Sequence, residues 1–139
     1  MTRTLFLALL CLAPVAPAAA EEPSPKAVAQ AFYDGYMKVL LKEGDSVVYV
    51  MKSEHVTKAF KKAYKAFMEN PESDPIICGQ DYPDAGFAAG KVKIEGDGNE
   101  ATVVLTSRDP KFENSFEVYL KLTDKSWLIE GTKDLLPRS

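Results

Sequence analysis

Residues 91–130 read KVKIEGDGNEATVVLTSRDPKFENSFEVYLKLTDKSWLIE, and the period of their apolar positions decides the fold. Val92 and Ile94 alternate with Lys91 and Lys93, which puts the apolar pair on one face of a strand. Glu95 to Glu100 contains Gly96, Asp97, Gly98 and Asn99, a composition suited to a tight turn, and Ala101 to Ser107 returns as a β-branched strand. Arg108 to Glu113 makes a second connection, after which Phe116, Val118, Leu120 and Leu122 alternate with Glu117, Tyr119 and Lys121. Thr123, Asp124 and Lys125 turn the chain into Trp127 to Glu130. This half of the chain is therefore predicted to be an antiparallel meander with one apolar face.

Upstream the period changes to that of a helix. Ser24 is a capping residue and Pro25 suits the first helical position, so a helix is predicted from there to about Leu41, with Val28, Ala31, Phe32, Val39 and Leu40 on its apolar stripe. Gly35 in its middle costs about 1 kcal/mol against alanine, which predicts either a bend or close packing against another element. Gly44 and Asp45 end the pattern, and Val47 to Met51 is too short for periodicity to choose between a strand and a helical turn. Ser53 is the expected cap of a second helix that buries Val56, Ala59, Phe60, Ala63 and Phe67, exposes Lys58, Lys61, Lys62 and Lys65, and stops at Asn70 and Pro71. From Glu72 to Gly90 the chain is irregular around Ile76, Ile77 and Cys78. Two N-terminal helices packed on a curved antiparallel β-sheet make an α+β fold; a doubly wound sheet would need helices and strands in alternation.

Composition narrows the classes further. With 139 residues, 46% hydrophobic, 27% charged and a net charge of −3, the chain is neither collagenous nor wholly disordered, and 17 basic against 20 acidic residues give no excess for nucleic-acid phosphates. Residues 1–20 have the form of a secretory signal: Arg3, the apolar run Leu5 to Ala13, and the small residues Ala18, Ala19 and Ala20 at a cleavage site. The run is too short to cross a bilayer, so no membrane span is expected in the mature chain. Residues 21–139 are then expected to form a single domain, periplasmic or secreted, with Cys78 as its one cysteine once Cys11 leaves with the leader.

Several side chains could carry chemistry, and each has a structural reading beside it. Cys78 and His55 are the sole thiol and imidazole of the mature chain, but Asp74 and Asp81 flank Cys78 and disfavour a thiolate, so burial beside Ile76 and Ile77 is the expected role. Glu72, Asp74, Asp81 and Asp84 could offer oxygen to a hard cation, as could Asp97 to Glu100; their spacing is not that of a calcium loop, and such residues also serve turns. The four lysines of the second helix would suit an anionic partner or simply a solvated face. Tyr33, Tyr36, Tyr49, Phe67, Tyr82 and Trp127 are expected in the core or around a pocket between helices and sheet. In the segment Asp74 to Pro83, Gln80 and Asp81 are expected to bond backbone at the base of the sheet, which makes Asp74, Gln80, Asp81 and Tyr82 the candidate binding residues. No motif points to a metal, a cofactor or a catalytic set.

The pairs Asp74-Pro75 and Gln80-Asp81-Tyr82, together with the closing Trp127-Leu128-Ile129-Glu130, resemble the family of small exported bacterial domains called domain of unknown function 3828, over about Lys26 to Gly131. The resemblance implies a nuclear transport factor 2-like or cystatin-like fold and an envelope location in Gram-negative bacteria, with no catalytic residues to carry across. The expected function is that of an exported, non-catalytic domain binding a small molecule or a partner protein, an immunity role against a toxin being one version by analogy of fold. The competing expectation is an isomerase- or hydrolase-type enzyme with an acid–base pocket around Asp81 and Tyr82, assisted by His55.

Overall fold

Ser24 starts the first helix as its sequence predicts. In the computed structural model, which describes residues 22–136, its side chain accepts the Ala27 N–H at 3.1 Å with Pro25 at the first helical position. The expected leader and its cleavage point near Ala20 lie outside the described residues. Helix α1 spans Pro25–Leu41 and buries Val28, Ala29, Phe32, Tyr33, Tyr36 and Met37. Ala31, expected on that stripe, is exposed. The stripe rotates because Tyr33 and Tyr36 bury their rings and find bonds for their hydroxyls, so two residues that look polar belong to the core.

Asp45 caps a short helix α2, Ser46–Lys52, by accepting the Val48 N–H at 3.0 Å, so Val47 to Met51 is helical and the helices number three among the described residues. Gly35 lets α2 approach α1. The Tyr49 ring lies where a Cβ would stand, its Cζ at 2.9 Å, and its hydroxyl donates to the Phe32 carbonyl at 2.7 Å. Helix α3, Lys58–Phe67, is capped by Thr57, which accepts the Phe60 N–H at 3.0 Å. Ser53, the expected cap, accepts the His55 N–H instead. The start moves because Val56 is drawn into a parallel bridge with the last strand: Ile129 N–H donates to the His55 carbonyl at 2.7 Å and Thr57 N–H to the Ile129 carbonyl at 2.9 Å.

Four strands follow, β1 Phe87–Glu95, β2 Glu100–Ser107, β3 Ser115–Thr123 and β4 Ser126–Thr132, paired antiparallel in chain order. The first begins earlier than Lys91, because Phe87 and Ala89 already alternate into the core. Val92, Val103 and Val118 share a register row, as do Ala89, Leu105 and Phe116, and these rows face the helices. Register shifts between Ala89 and Val92 and between Tyr119 and Leu120 bend the strands. The β3–β4 turn places both Asp124 (φ 47°) and Lys125 (φ 67°) in the left-handed region, the mark of a two-residue type I′ turn.

The helices lie against one face of this sheet, and Phe32, Tyr33, Phe87 and Phe116 interlock between the layers. Ring centroids are 5.4 Å apart for Tyr33–Phe116 and 5.1 Å for Phe87–Phe116, the latter edge to face. Each such side chain contributes about 1.5–3 kcal/mol on burial. Gln30 ties α1 to the free edge of β1: its Oε1 accepts the Ala89 N–H at 2.8 Å and its Nε2 donates to the Phe87 carbonyl at 2.9 Å. The fold is α+β. Among the described residues, no helix is long and apolar enough to cross a membrane.

Candidate functional site

Beyond α3 the chain folds into a small loop closed on itself. Asp74 N–H donates to the Gly79 carbonyl at 2.9 Å and Gly79 N–H to the Asp74 carbonyl at 3.2 Å, while the Asp74 side chain accepts the Ile76 N–H at 2.8 Å. The loop drives Ile76 and Ile77 into the core at 0% and 1% exposure. Their burial brings carbonyls with them, which need donors. Tyr33 donates to the Ile76 carbonyl at 2.6 Å, Thr132 to the Pro75 carbonyl at 2.8 Å, and Tyr36 to the second Asp74 oxygen at 2.5 Å. The loop is a plug, bonded on one side to α1 and on the other to the end of β4.

The candidate residues of this segment part company. Asp74 is a strut within the fold. Gln80 and Asp81 are exposed and bond only nearby backbone, Gln80 to the Glu72 carbonyl at 3.2 Å and Asp81 to the Tyr82 N–H at 3.0 Å. The expected bonding at the base of the sheet is done by Tyr33, Tyr36 and Thr132 instead. Tyr82 packs partly buried against the core. Cys78 does not continue inward with Ile76 and Ile77: its φ of 52° turns the chain, leaving the thiol half-buried, with burial pushing its pKa up. Among the described residues no hydrogen bond joins His55 to Cys78, and no group of three or more acidic, His or Cys side chains converges in a way that could hold a metal.

Around the plug the phenols are held neutral. Burial pushes Tyr33 and Tyr36 well above their ordinary value of 10.0, and the Asp74 carboxylate adds to both shifts. Tyr64 of α3 is raised for the same reasons, burial first. Its hydroxyl is buried without a hydrogen-bond partner among the described residues, and although Ser46 is near enough to oppose its shift, the geometry closes no bond between them.

A cleft of about 580 Å³ opens elsewhere, between α3 and the residues after β4. Ala59, Ala63, Ala66 and Phe67 line it from the helix, and Leu135 and Leu136 face them, with Lys62 and Asp134 as its polar residues. The tail wall is positioned by Thr132, which exchanges backbone bonds with Leu135 at 3.1 and 3.3 Å. Leu135 is thereby buried at 4% exposure, while Leu136 remains 56% exposed beside the cleft. Sequence spacing put Ala59, Ala63 and Phe67 on the core face with Phe60; Ala63 and Phe67 do pack, partly buried, against the core, while Ala59 is exposed. The signal that separates them is the width of the arc: running from Phe60 and Tyr64 round to Ala59 and Ala66, it exceeds what one core contact covers. Lys62 comes next around the helix, then Lys58 and Lys65. The two ion pairs among the described residues join Lys93 to Glu95 and Arg108 to Asp34, so none involves the lysines of α3.

No family model matches the chain, and no curated protein matches it. Among solved structures, it is similar to a protein of unknown function from Bacteroides thetaiotaomicron VPI-5482, at a TM-score of 0.58 and 21% identity over 78% of this chain and 88% of that one. The likeness shows a shared three-dimensional arrangement of α+β type.

Proposed function

We propose that the chain is an exported, periplasmic or secreted, non-catalytic binding domain of the family called domain of unknown function 3828, and that it takes its ligand in the cleft between α3 and residues 134–136. One observation carries the assignment of the site: the cleft is a concavity of about 580 Å³ with apolar walls and a few polar groups, inside the range of roughly 300–1,000 Å³ typical of small-molecule sites. The polar groups of the Asp74 loop support the non-catalytic reading, because Asp74, Tyr33, Tyr36 and Thr132 already bond one another or buried backbone. Asp81, the base of the competing enzyme reading, sits exposed and bonded to its own neighbour.

The test uses the purified chain and the fluorescent apolar anion anilinonaphthalene sulfonate. Native protein should enhance its emission, Ala66→Trp should abolish the enhancement by filling the cleft, and Asp81→Asn and Tyr82→Phe should leave it unchanged. Enhancement that survives Ala66→Trp and vanishes with Tyr82→Phe would move the site to the Asp74–Pro83 segment. Fractionation of cells expressing the full chain tests its export.

A further inference from the structure

We infer that the cleft takes a single-chain anionic amphiphile of the fatty-acid class, with its alkyl chain between the alanines of α3 and Leu136 and its headgroup on Lys62. The inference rests on the cleft being a binding site and names what it binds. Three observations define the occupant. The helix wall offers Ala59, Ala63 and Ala66, whose short side chains leave a groove that an unbranched chain can fill, and Leu136 opposite it is 56% exposed. Removing that leucine and the alanine methyls from water is favourable. Lys62 stands where the apolar arc meets the solvent, Lys58 and Lys65 follow it around the helix, and α3 holds four lysines with no acidic residue. None of these ammonium groups has an ion-pair partner among the described residues, so the helix side of the cleft is basic and the head that complements it is an anion.

A cleft of about 580 Å³ has the size of a small-molecule site, which is why the occupant named is a small amphiphile. Asp134, the acidic residue of the lining, belongs to the tail wall, so an anionic head is favoured on the helix side, at Lys62.

The experiment titrates the full mature-length chain with dodecanoate below its micelle concentration, by calorimetry and by amide chemical shifts. One site is expected, with shifts centred on Ala59 to Phe67 and Leu135. Lys62→Glu should weaken binding roughly five- to tenfold, the size of a partly exposed charge contact reversed. Ala66→Trp should abolish binding with an unchanged far-ultraviolet spectrum, and Ala59→Trp serves as the second blocking variant should that one misfold. Dodecanol and dodecyltrimethylammonium separate this inference from the wider reading. Equal affinity for dodecanoate and either of them overturns the anionic assignment and leaves a binding cleft. Binding confined to phosphatidylglycerol vesicles, with none to free dodecanoate, overturns it in favour of a membrane surface. Failure of all three amphiphiles and of the fluorescent probe overturns both.

Discussion

Replacing Asp74 with alanine removes two acceptors at once. One oxygen receives the Tyr36 hydroxyl at 2.5 Å and the other the Ile76 N–H at 2.8 Å. Hydrogen bonds to a charged partner contribute about 1.5–3 kcal/mol each, and the abandoned Tyr36 hydroxyl, on a residue 1% exposed, adds the penalty of a buried unpaired donor. Partial relaxation of so small a loop keeps the sum near 3–5 kcal/mol, a large share of the roughly 5–15 kcal/mol that holds a typical domain together. Urea unfolding followed by tryptophan fluorescence reads this directly: the midpoint should fall with the slope unchanged. Asp74→Asn keeps one acceptor oxygen, enough for one of the two donors, and presents an amide NH2 to the other, so it should lose about 1–3 kcal/mol, less than the alanine variant. Tyr36→Phe combined with Asp74→Ala should cost clearly less than the two separate losses added together. If Asp74→Ala unfolds within about 0.5 kcal/mol of the parent, the carboxylate holds nothing up, and it becomes available for chemistry.

Three further outcomes follow from the same geometry. Gly35→Ala should destabilise by roughly 1–3 kcal/mol in thermal unfolding, although alanine favours a helix by about 1 kcal/mol, because its methyl group meets the Tyr49 ring; a rise in melting temperature would show that the ring moves aside freely. Lys125→Gly should stabilise by about 1 kcal/mol, since a side chain at φ 67° is strained and glycine is not, and a loss of stability would mean the β3–β4 turn is not of the type I′ form. Alkali should unfold the protein through its phenols. Tyr49 is pushed up to about 12, and Tyr33, Tyr36 and Tyr64 are also raised, so between pH 10 and 12 the unfolded chain releases protons that the folded one keeps. Stability is then full below pH 10 and falls as pH rises through that window, with the phenolate absorbance of these four appearing together with the loss of near-ultraviolet dichroism. A smooth titration near pH 10 with the dichroism intact would contradict their burial.

The elements legible in the sequence were those whose signal is local. Ser24 with Pro25, the alternation from Lys91 onward and the turn residues Gly96, Gly98 and Asp124 each act within a few positions, and each lies where its spacing predicts. Gly35 was legible as a close approach, though not its partner. Choices made by distant partners were hidden. Ser53 and Thr57 are both good caps, and only the bridge between Val56 and Ile129 selects Thr57. Tyr33 and Tyr36 look amphipathic until the Asp74 loop supplies an acceptor for each hydroxyl. Gln80 and Asp81 are as polar as Asp74, and it is the fold that turns one of the three inward. The cleft is not legible in the sequence because its outer wall, Leu135 and Leu136, lies far along the chain from α3.

Thr132 stands near the end of the described chain, yet its hydroxyl reaches the Pro75 carbonyl, 57 positions earlier, and its peptide group holds Leu135. A polypeptide made amino end first cannot lock this loop, nor shape the apolar cleft, until Thr132 and Leu135 have emerged. On the proposed route of export, such a late fastening delays the closing of this loop until the segment that carries Thr132 has passed.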